Sequence, residues 1–302
     1  MNLLLTGAFT YAVEQIDKLE SLNLSVFFMQ QEKDGLPIET SQIDAVVCNG
    51  LFLYHDIDEF EHLKFIQLTS AGLDRVPVAR IRERGIQLYN ARGVYSIPMA
   101  EWVVFRVLEY YKRGTHFYRS QQEKAWNKER MLKELNGCTV GVVGLGNVGQ
   151  EVAKRFKAFG TKIVAVDLFP IQNEYVDFFY AFEDVEQALP LCDVVVLTLP
   201  LTDKTFHWLN RERLEQMNPE AILVNIARGA VIHEADLIEF LRQKKIAYAA
   251  LDVFEEEPLS AHSPLWKMEN VAVSPHNSFV SNRNNERMFD VIYQNLKLFV
   301  AK

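Results

Sequence analysis

The sequence predicts an α/β protein of two domains, each built on a parallel sheet. Three observations carry this. Short apolar runs alternate with segments of helical periodicity along the chain. Six of those runs, between residues 139 and 274, are apolar on both faces and rich in Val, Ile or Leu, as strands of a doubly covered parallel sheet are. The run Gly-Leu-Gly-Asn-Val-Gly, at Gly144–Gly149, directly follows the first of the six and opens a helical segment. At 302 residues the chain is long for one domain and comfortable for two.

The elements follow in order. Residues 2–6 (NLLLT) read as a short buried strand, and 11–21 has apolar residues at helical spacing. Apolar runs at 24–28, 44–48, 65–68 and 86–89 come next, with helical or turn-like segments between them. Strands alternating with helices mean βαβ units, and this first block ends near Asn90. A long helix is expected from about Pro98 to Thr115, with Pro98 in its first turn and Ser96 as a candidate N-cap. Met99, Val103, Phe105, Arg106 with its long aliphatic stem, Val107 and Leu108 make it apolar on more than one side. Such a helix is buried deeply or lies at a domain or dimer contact. The six strand-like runs are 139–143, 162–166, 193–199, 222–226, 247–251 and 271–274, with helices such as 147–159 and 234–243 between them. The stretch 283–300 reads as a closing helix.

Composition narrows the function. A formal net charge of -8 argues against nucleic-acid binding, which needs a basic footprint. Anionic substrates stay open, because local cations override the global field. Cys48, Cys138 and Cys192 form no CxxC pair and the histidines lack zinc-site spacing, so no metal is expected. The cysteines read as small buried hydrophobes in a reduced compartment. No basic region precedes the apolar start MNLLLT, and no uncharged run reaches the roughly 18 residues of a membrane span. The expected location is cytoplasmic.

The glycine run has a specific chemistry. Gly144 allows a tight turn, Gly146 lets a pyrophosphate approach the backbone, and Gly149 permits close helix–strand packing. Asn147 and Val148 begin the helix, whose N–H groups and dipole favour phosphate. The second strand ends at Asp167, 18 residues beyond Gly149. An acid there takes the ribose hydroxyls and repels a 2'-phosphate. No Arg or Lys follows in Leu168-Phe169-Pro170, so NAD is preferred over NADP.

Ligands of open α/β sheets lie beyond the carboxyl ends of the strands. After the third strand come Leu199, Pro200 and Thr205, able to line a cofactor. After the fourth come Ile226, Ala227 and Arg228; after the fifth, Asp252 to Pro258; after the sixth, His276, Asn277 and Ser278. His276 suits a general acid for a carbonyl oxygen, and Glu257 suits the carboxylate that orients it. Arg228 suits a bidentate grip on a substrate carboxylate. Asp252 is placed to meet the nicotinamide end of the cofactor. His55, His62, His116, His207, His233 and His262 read as surface or capping residues.

The motifs TSAGLD (Thr69–Asp74), Ala100-Glu101, LNGCTVGVVGLGNVG (Leu135–Gly149), LPLTDKT (Leu199–Thr205), NIARGAVI (Asn225–Ile232), LDVFEEEPL (Leu251–Leu259) and SPHN (Ser274–Asn277) occur in one order. With them the sequence resembles the D-isomer-specific 2-hydroxyacid dehydrogenases, the family of phosphoglycerate dehydrogenase, glyoxylate/hydroxypyruvate reductase and D-lactate dehydrogenase. The resemblance spans nearly the whole chain. It implies a Rossmann NAD-binding domain, residues 97–279, inserted into a smaller flavodoxin-like substrate domain, 1–96 plus 280–302, that closes about a hinge. It implies Arg228, Glu257 and His276 as the catalytic residues. It implies that Gly144, Gly146, Asn147, Val148, Gly149, Asp167, Leu199, Pro200, Thr205, Ile226, Ala227, Arg228, Asp252, His276 and Ser278 contact the cofactor. Ser70, Ala71 and Gly72 would meet the substrate carboxylate through backbone N–H groups, with Arg228 and His276. A homodimer joined through the NAD domains is implied as well.

The sequence departs from the family at Asn277 and Ser278, where an apolar residue and then Gly or Ala are usual. With its last residue at Lys302, it is expected to lack the regulatory extension of longer phosphoglycerate dehydrogenases. Loops near 50–54, 70–75 and 92–96 are expected to shape the side-chain pocket. Arg75 and Arg92 are candidates for a phosphate but read better as surface charges, and Tyr95 is a candidate to pack on an apolar group. A reading from another class is an NAD-responsive corepressor-like binding protein of the same fold, which also keeps the three catalytic groups. A formate dehydrogenase is disfavoured, since that branch carries Gln where Glu257 stands.

Overall fold

The computed structural model describes residues 1–301. The chain forms two compact units: Met1–Tyr95 together with the residues from Ser281 onward, and Ser96–Val280.

The first unit begins with β1 (Asn2–Thr6), α1 (Val13–Glu20), β2 (Ser25–Met29), β3 (Ala45–Cys48), β4 (Phe65–Leu68), α2 (Val78–Glu83) and β5 (Gln87–Tyr89). All strand pairs are parallel, in the order β2-β1-β3-β4-β5. That is the flavodoxin-like order. Alternate residues feed two separate cores. Leu3, Leu5, Ala45, Val47 and Phe65 pack on one face, Leu4, Val46, Cys48, Ile66 and Leu68 on the other. Period-two side chains therefore meet apolar partners on both sides, which explains why these strands read as continuous apolar runs.

The second unit holds α3 (Ser96–Tyr111), α4 (Gly114–Gln122), β6 (Thr139–Val143), α5 (Asn147–Lys157), β7 (Lys162–Asp167), β8 (Phe178–Ala181), α6 (Val185–Ala188), β9 (Val194–Leu197), α7 (Arg211–Gln216), β10 (Ile222–Asn225), α8 (Glu234–Arg242), β11 (Tyr248–Leu251) and β12 (Val271–Val273). Its seven strands run β12-β11-β10-β9-β6-β7-β8, all parallel. The order reverses at β6, the point beside which such sheets bind ligands. Helix α9 (Asn284–Val300) then returns to the first unit, where Met288, Phe289, Ile292, Leu296 and Phe299 are buried. There Asn295 Nδ2 donates to the buried Gln67 at 2.7 Å.

The structure corrects several expectations. The second sheet has a seventh strand, β8, which the count of six omitted. Its sequence, FFYA, is an edge strand with Phe178 55% exposed, so it lacks the buried two-faced signature. The helix expected over 98–115 is two helices, broken at Arg113, whose φ of +54 is left-handed and ends a right-handed helix. Ser96 is a buried residue of the first turn, not a cap before it. One face of the first of these helices is buried through Ala100, Val103 and Val107, while Phe105 is 53% exposed. Cys48 and Cys192 are buried, but Cys138 is half-exposed. Among the described residues no helix is long and apolar enough to cross a membrane.

Candidate active site

One row of the strand register organises the second unit. Val166, Val143, Leu197, Asn225, Leu251 and Val273 are partners across the sheet. One residue beyond that row stand Asp167, Gly144, Thr198, Ile226, Asp252 and Ser274. Residues scattered over more than a hundred positions thus meet along a single edge because their strands are parallel and in step.

The glycine loop occupies the centre of that edge. Gly144 has φ +97, and a Cβ there would lie 3.0 Å from the Thr198 carbonyl. A Cβ on Gly149 would lie 2.1 Å from the Gly144 carbonyl oxygen. These two glycines allow contacts that a side chain would forbid. Gly146 is different, because nothing lies within 4 Å of a Cβ built there. Open space therefore faces the first turn of α5, whose N–H groups and dipole attract anions. Asp167 stands beside this loop and its Oδ2 accepts from the Leu145 N–H at 2.5 Å. The following Leu168 and Phe169 are exposed and bring no cation. This donor set fits a dinucleotide: backbone N–H groups for the pyrophosphate, a carboxylate for a ribose diol.

Beyond β9, Leu199 is nearly buried and Pro200 exposed. The buried Thr205 closes the loop on itself: its Oγ1 donates to the Pro200 carbonyl (2.6 Å) and accepts from the Thr202 N–H (2.8 Å). Beyond β10, Ile226 and Ala227 are buried. Asn225 shapes this turn, accepting from Ala227 N–H and donating to the Arg228 carbonyl, both at 3.0 Å. Arg228 Nη1 donates to the Ala227 carbonyl at 2.8 Å. Gly229 follows, and a Cβ on it would lie 1.8 Å from the carbonyl carbon of Phe254. The turn carrying Arg228 is therefore in backbone contact with the turn leading to Glu257. Asn225 and Gly229 belong to the NIARGAVI motif, but only the tertiary approach of the two turns gives them a task.

Glu257 and His276 meet directly. Glu257 Oε2 lies 2.8 Å from His276 Nδ1, and its Oε1 accepts from the Phe254 N–H at 3.1 Å. The side chains are 36% and 40% exposed, so the pair stays accessible. The Glu257–Pro258 peptide is cis. His276 adopts φ +49, a strained region for a residue other than glycine. The restraint comes from Asp252, which is fully buried. Its main-chain carbonyl accepts from His276 N–H at 2.8 Å. Its carboxylate accepts from Asn277 N–H (2.8 Å), Ser278 N–H (2.9 Å) and the Ser274 hydroxyl. Asp252, expected to face a cofactor, is turned inward onto the 274–278 loop. Ser278 is buried with it.

In the first unit, the Thr69–Gly72 loop follows β4. Its four carbonyls are all engaged: Thr69 by the Tyr95 hydroxyl (2.5 Å), Ser70 by Ala91 N–H (2.9 Å), Ala71 by Asn90 Nδ2 (2.7 Å) and Gly72 by the Ser70 hydroxyl (3.0 Å). Tyr95, expected as a packing residue for substrate, thus anchors this loop through its hydroxyl. Arg75 and Arg92 are exposed. Among the described residues no group of three or more His, Cys, Asp or Glu is placed to hold a metal. His207 is no simple surface residue: its Nε2 lies 3.0 Å from Glu255 Oε1.

Comparison with known proteins agrees with this architecture. The family model described as D-isomer specific 2-hydroxyacid dehydrogenase, NAD binding domain, matches residues 104–278. The chain is 35% identical over 275 residues to a glyoxylate reductase of Thermofilum pendens, covering 88% of this chain and 78% of that one. It is 36% identical over 250 residues to a hydroxypyruvate reductase of Thermotoga maritima, covering 81% of each. Among solved structures it is similar to a D-isomer specific 2-hydroxyacid dehydrogenase from Xanthobacter autotrophicus in complex with NADPH and MES. The TM-score is 0.81 and the identity 27%, over 99% of this chain and 95% of that one.

Proposed function

Because the chain belongs to the D-isomer specific 2-hydroxyacid dehydrogenase family and is an NAD-dependent oxidoreductase, we propose that it interconverts a small 2-keto acid and the corresponding D-2-hydroxy acid. The observation that supports this most is the His276–Glu257 pair, 2.8 Å apart on the sheet edge that also carries the glycine loop. NADH, when bound, supplies the hydride that reaches the carbonyl carbon. The chain's own residues do the rest. His276, held at Nδ1 by Glu257, presents Nε2 as the proton donor to the carbonyl oxygen. Glu257 keeps the ring in place and offsets the charge of the imidazolium. Arg228 takes the substrate carboxylate in its planar fork, which selects the face presented for reduction. In the reverse direction His276 receives the hydroxyl proton. Asp252 orders the loop behind His276. In the smaller unit we assign the backbone N–H groups of Ser70, Ala71 and Gly72 to carboxylate binding. The hydrogen bonds accepted by the Ser70, Ala71 and Gly72 carbonyls fix the conformation of this loop, which supports that assignment.

Glyoxylate and hydroxypyruvate, named in the relatives' activities, are the first substrates to assay, with pyruvate beside them. Loss of NADH absorbance with one of these acids, and a D product from hydroxypyruvate, is the expected result. Tight NADH binding without turnover of any acid would replace this reading with that of an NAD-responsive binding protein. His276→Ala is expected to lower turnover by about 10²–10⁴-fold while NADH affinity holds, the range general acid catalysis supplies. We also propose NADH over NADPH, on the carboxylate of Asp167 and the absence of a cation after it. A homodimer completes the proposal, supported by Trp126 and Met131 of the 123–134 segment, which are 92% and 84% exposed; the cytoplasm is its proposed location.

A further inference from the structure

A second histidine–carboxylate pair braces the first. His207, in the loop after β9, places Nε2 3.0 Å from Glu255 Oε1, each side chain about a third exposed. Its main chain is tied as well. The His207 N–H donates to the Ala230 carbonyl at 2.7 Å, and its φ is +48. A residue other than glycine keeps that conformation only where its surroundings impose it. Two residues on, Leu209 N–H donates to the Val231 carbonyl at 2.9 Å. The 207–209 segment therefore runs beside the turn that follows Arg228. Glu255 is held from the other side: its Oε1 accepts from Glu234 N–H (2.8 Å), and its own N–H donates to Glu234 Oε2 (3.3 Å).

We infer that His207 is a positioning residue. Its side chain on Glu255 and its N–H on Ala230 fix the segment carrying Glu257 against the segment carrying Arg228. The inference rests on the reading of Glu257 and His276 as the acid–base pair. The charge distribution shows why a brace is needed. Glu255, Glu256 and Glu257 are consecutive, and Glu234 adds a fourth carboxylate to the same turn. Burial leads in holding the Glu234 carboxyl above its ordinary range, opposed by the hydrogen bond from the Glu255 N–H and reinforced by the charges of Glu255 and Glu256. Like charges gathered on one turn repel each other. An imidazole donor on Glu255 offsets that repulsion at its centre. His207 is itself enclosed by Phe206, stacked at 3.9 Å, and by His233, edge-on at 4.8 Å. His233 is occupied by Asp236 (2.8 Å), which Arg211 also contacts (3.2 Å). The turn transmits the restraint, because Glu257 Oε1 is bonded to Phe254 N–H within it. A displacement at Glu255 therefore moves the carboxylate that meets His276.

The test is a kinetic comparison of His207→Ala, His207→Gln and His276→Ala. It uses NADH and whichever of glyoxylate, hydroxypyruvate and pyruvate the wild type reduces fastest. Misplacing a reacting group by about 1 Å costs up to about 10²-fold, so His207→Ala is expected to lower kcat about 10-fold. The KM for NADH should stay within about 2-fold, the pattern of a lost transition-state interaction. The amide of His207→Gln keeps a donor for Glu255 and should recover most of the rate. Wild-type kcat in His207→Ala, a loss that the glutamine does not restore, or an equal rise in the KM for NADH would each overturn the inference. The two readings separate cleanly. Full turnover in His276→Ala removes the acid–base assignment and the brace with it. An inactive His276→Ala beside a fully active His207→Ala removes the brace alone.

Discussion

Gly229 shows how much one hydrogen atom decides here. Its α-hydrogen is all that fits against the Phe254–Glu255 backbone, where a Cβ would lie 1.8 Å from one atom and 2.4 Å from another. The obstructing atoms are main chain, so no side chain can swing away. Gly229→Ala is expected to lower stability by about 1–3 kcal/mol or more, the cost of overpacking, and to remove most of the activity by parting Arg228 from Glu257. Thermal unfolding and kcat measured together check this, and a wild-type melting temperature in the alanine variant would refute the close contact. Arg228→Lys keeps the charge but loses the planar fork. It should raise the KM for the keto acid and lower kcat, with the KM for NADH little changed. Asp167 acts by charge: replacing it with Ser removes the repulsion of a 2'-phosphate, so the NADPH to NADH ratio of kcat/KM should rise. A ratio unchanged by Asp167→Ser would show that some other group sets the preference.

At the scale of elements, the site depends on β10, β11 and β12 being parallel and in register, because each ends one residue before its functional turn. The opposite edge is secured differently. Strand β8 is short and half-exposed, and Asp177 just before it ties it down. Lys157, at the end of α5, contacts both carboxylate oxygens at 2.5 and 2.7 Å, and Ile163 N–H donates to one of them at 2.7 Å. The hydrogen bond from Lys157 leads in holding the Asp177 carboxyl below its ordinary range, against a smaller opposing effect of burial. The folded state then binds fewer protons there than the unfolded chain. The stabilisation is complete above the unfolded value of about 3.9 and is lost as pH falls through the lower folded value. Asp177→Asn should therefore lower the melting temperature at pH 7 and have little effect near pH 2. The partly exposed pair limits the effect to about 0.5–1 kcal/mol. An equal loss at both pH values would assign the effect to packing instead.

For the molecule as a whole, the chain leaves its first sheet after β5, builds the larger unit and returns through α9. A protein arranged this way completes its first core only when residues beyond 281 arrive, since Met288, Ile292 and Leu296 fill it. Deleting α9 should unfold the smaller unit, exposing Leu3, Leu5 and Phe65, while the larger unit keeps its own core. Limited proteolysis of a chain ended before residue 281 measures this, and resistance of residues 1–95 to cleavage would contradict it. The larger unit carries the exposed Trp126 and Met131. Exposed large apolar side chains are candidates for an association surface, and sedimentation is expected to give a dimer. Trp126→Glu should shift it toward monomer, and a monomeric wild type would end the dimer proposal.

The sequence by itself determined the α/β class, eleven of the twelve strands and the glycine loop, because each is written in a local pattern: apolar runs of strand length, or spacing that only a tight turn satisfies. It also exposed Arg228, Glu257 and His276 as candidates, since each stands a few residues past a legible strand. What it left unread depends on contacts between distant segments. The edge strand β8 buries too little to carry an apolar signature. Gly229 looks like any glycine until the Phe254 turn presses on it. Asp252 looks like a ligand group until the 274–278 loop closes on its carboxylate. His207 looks like a surface histidine until Glu255 arrives from 48 residues away. Only the tertiary structure decides such roles, because a hydrogen bond or a steric contact exists only once the backbone has brought its two partners within about 4 Å.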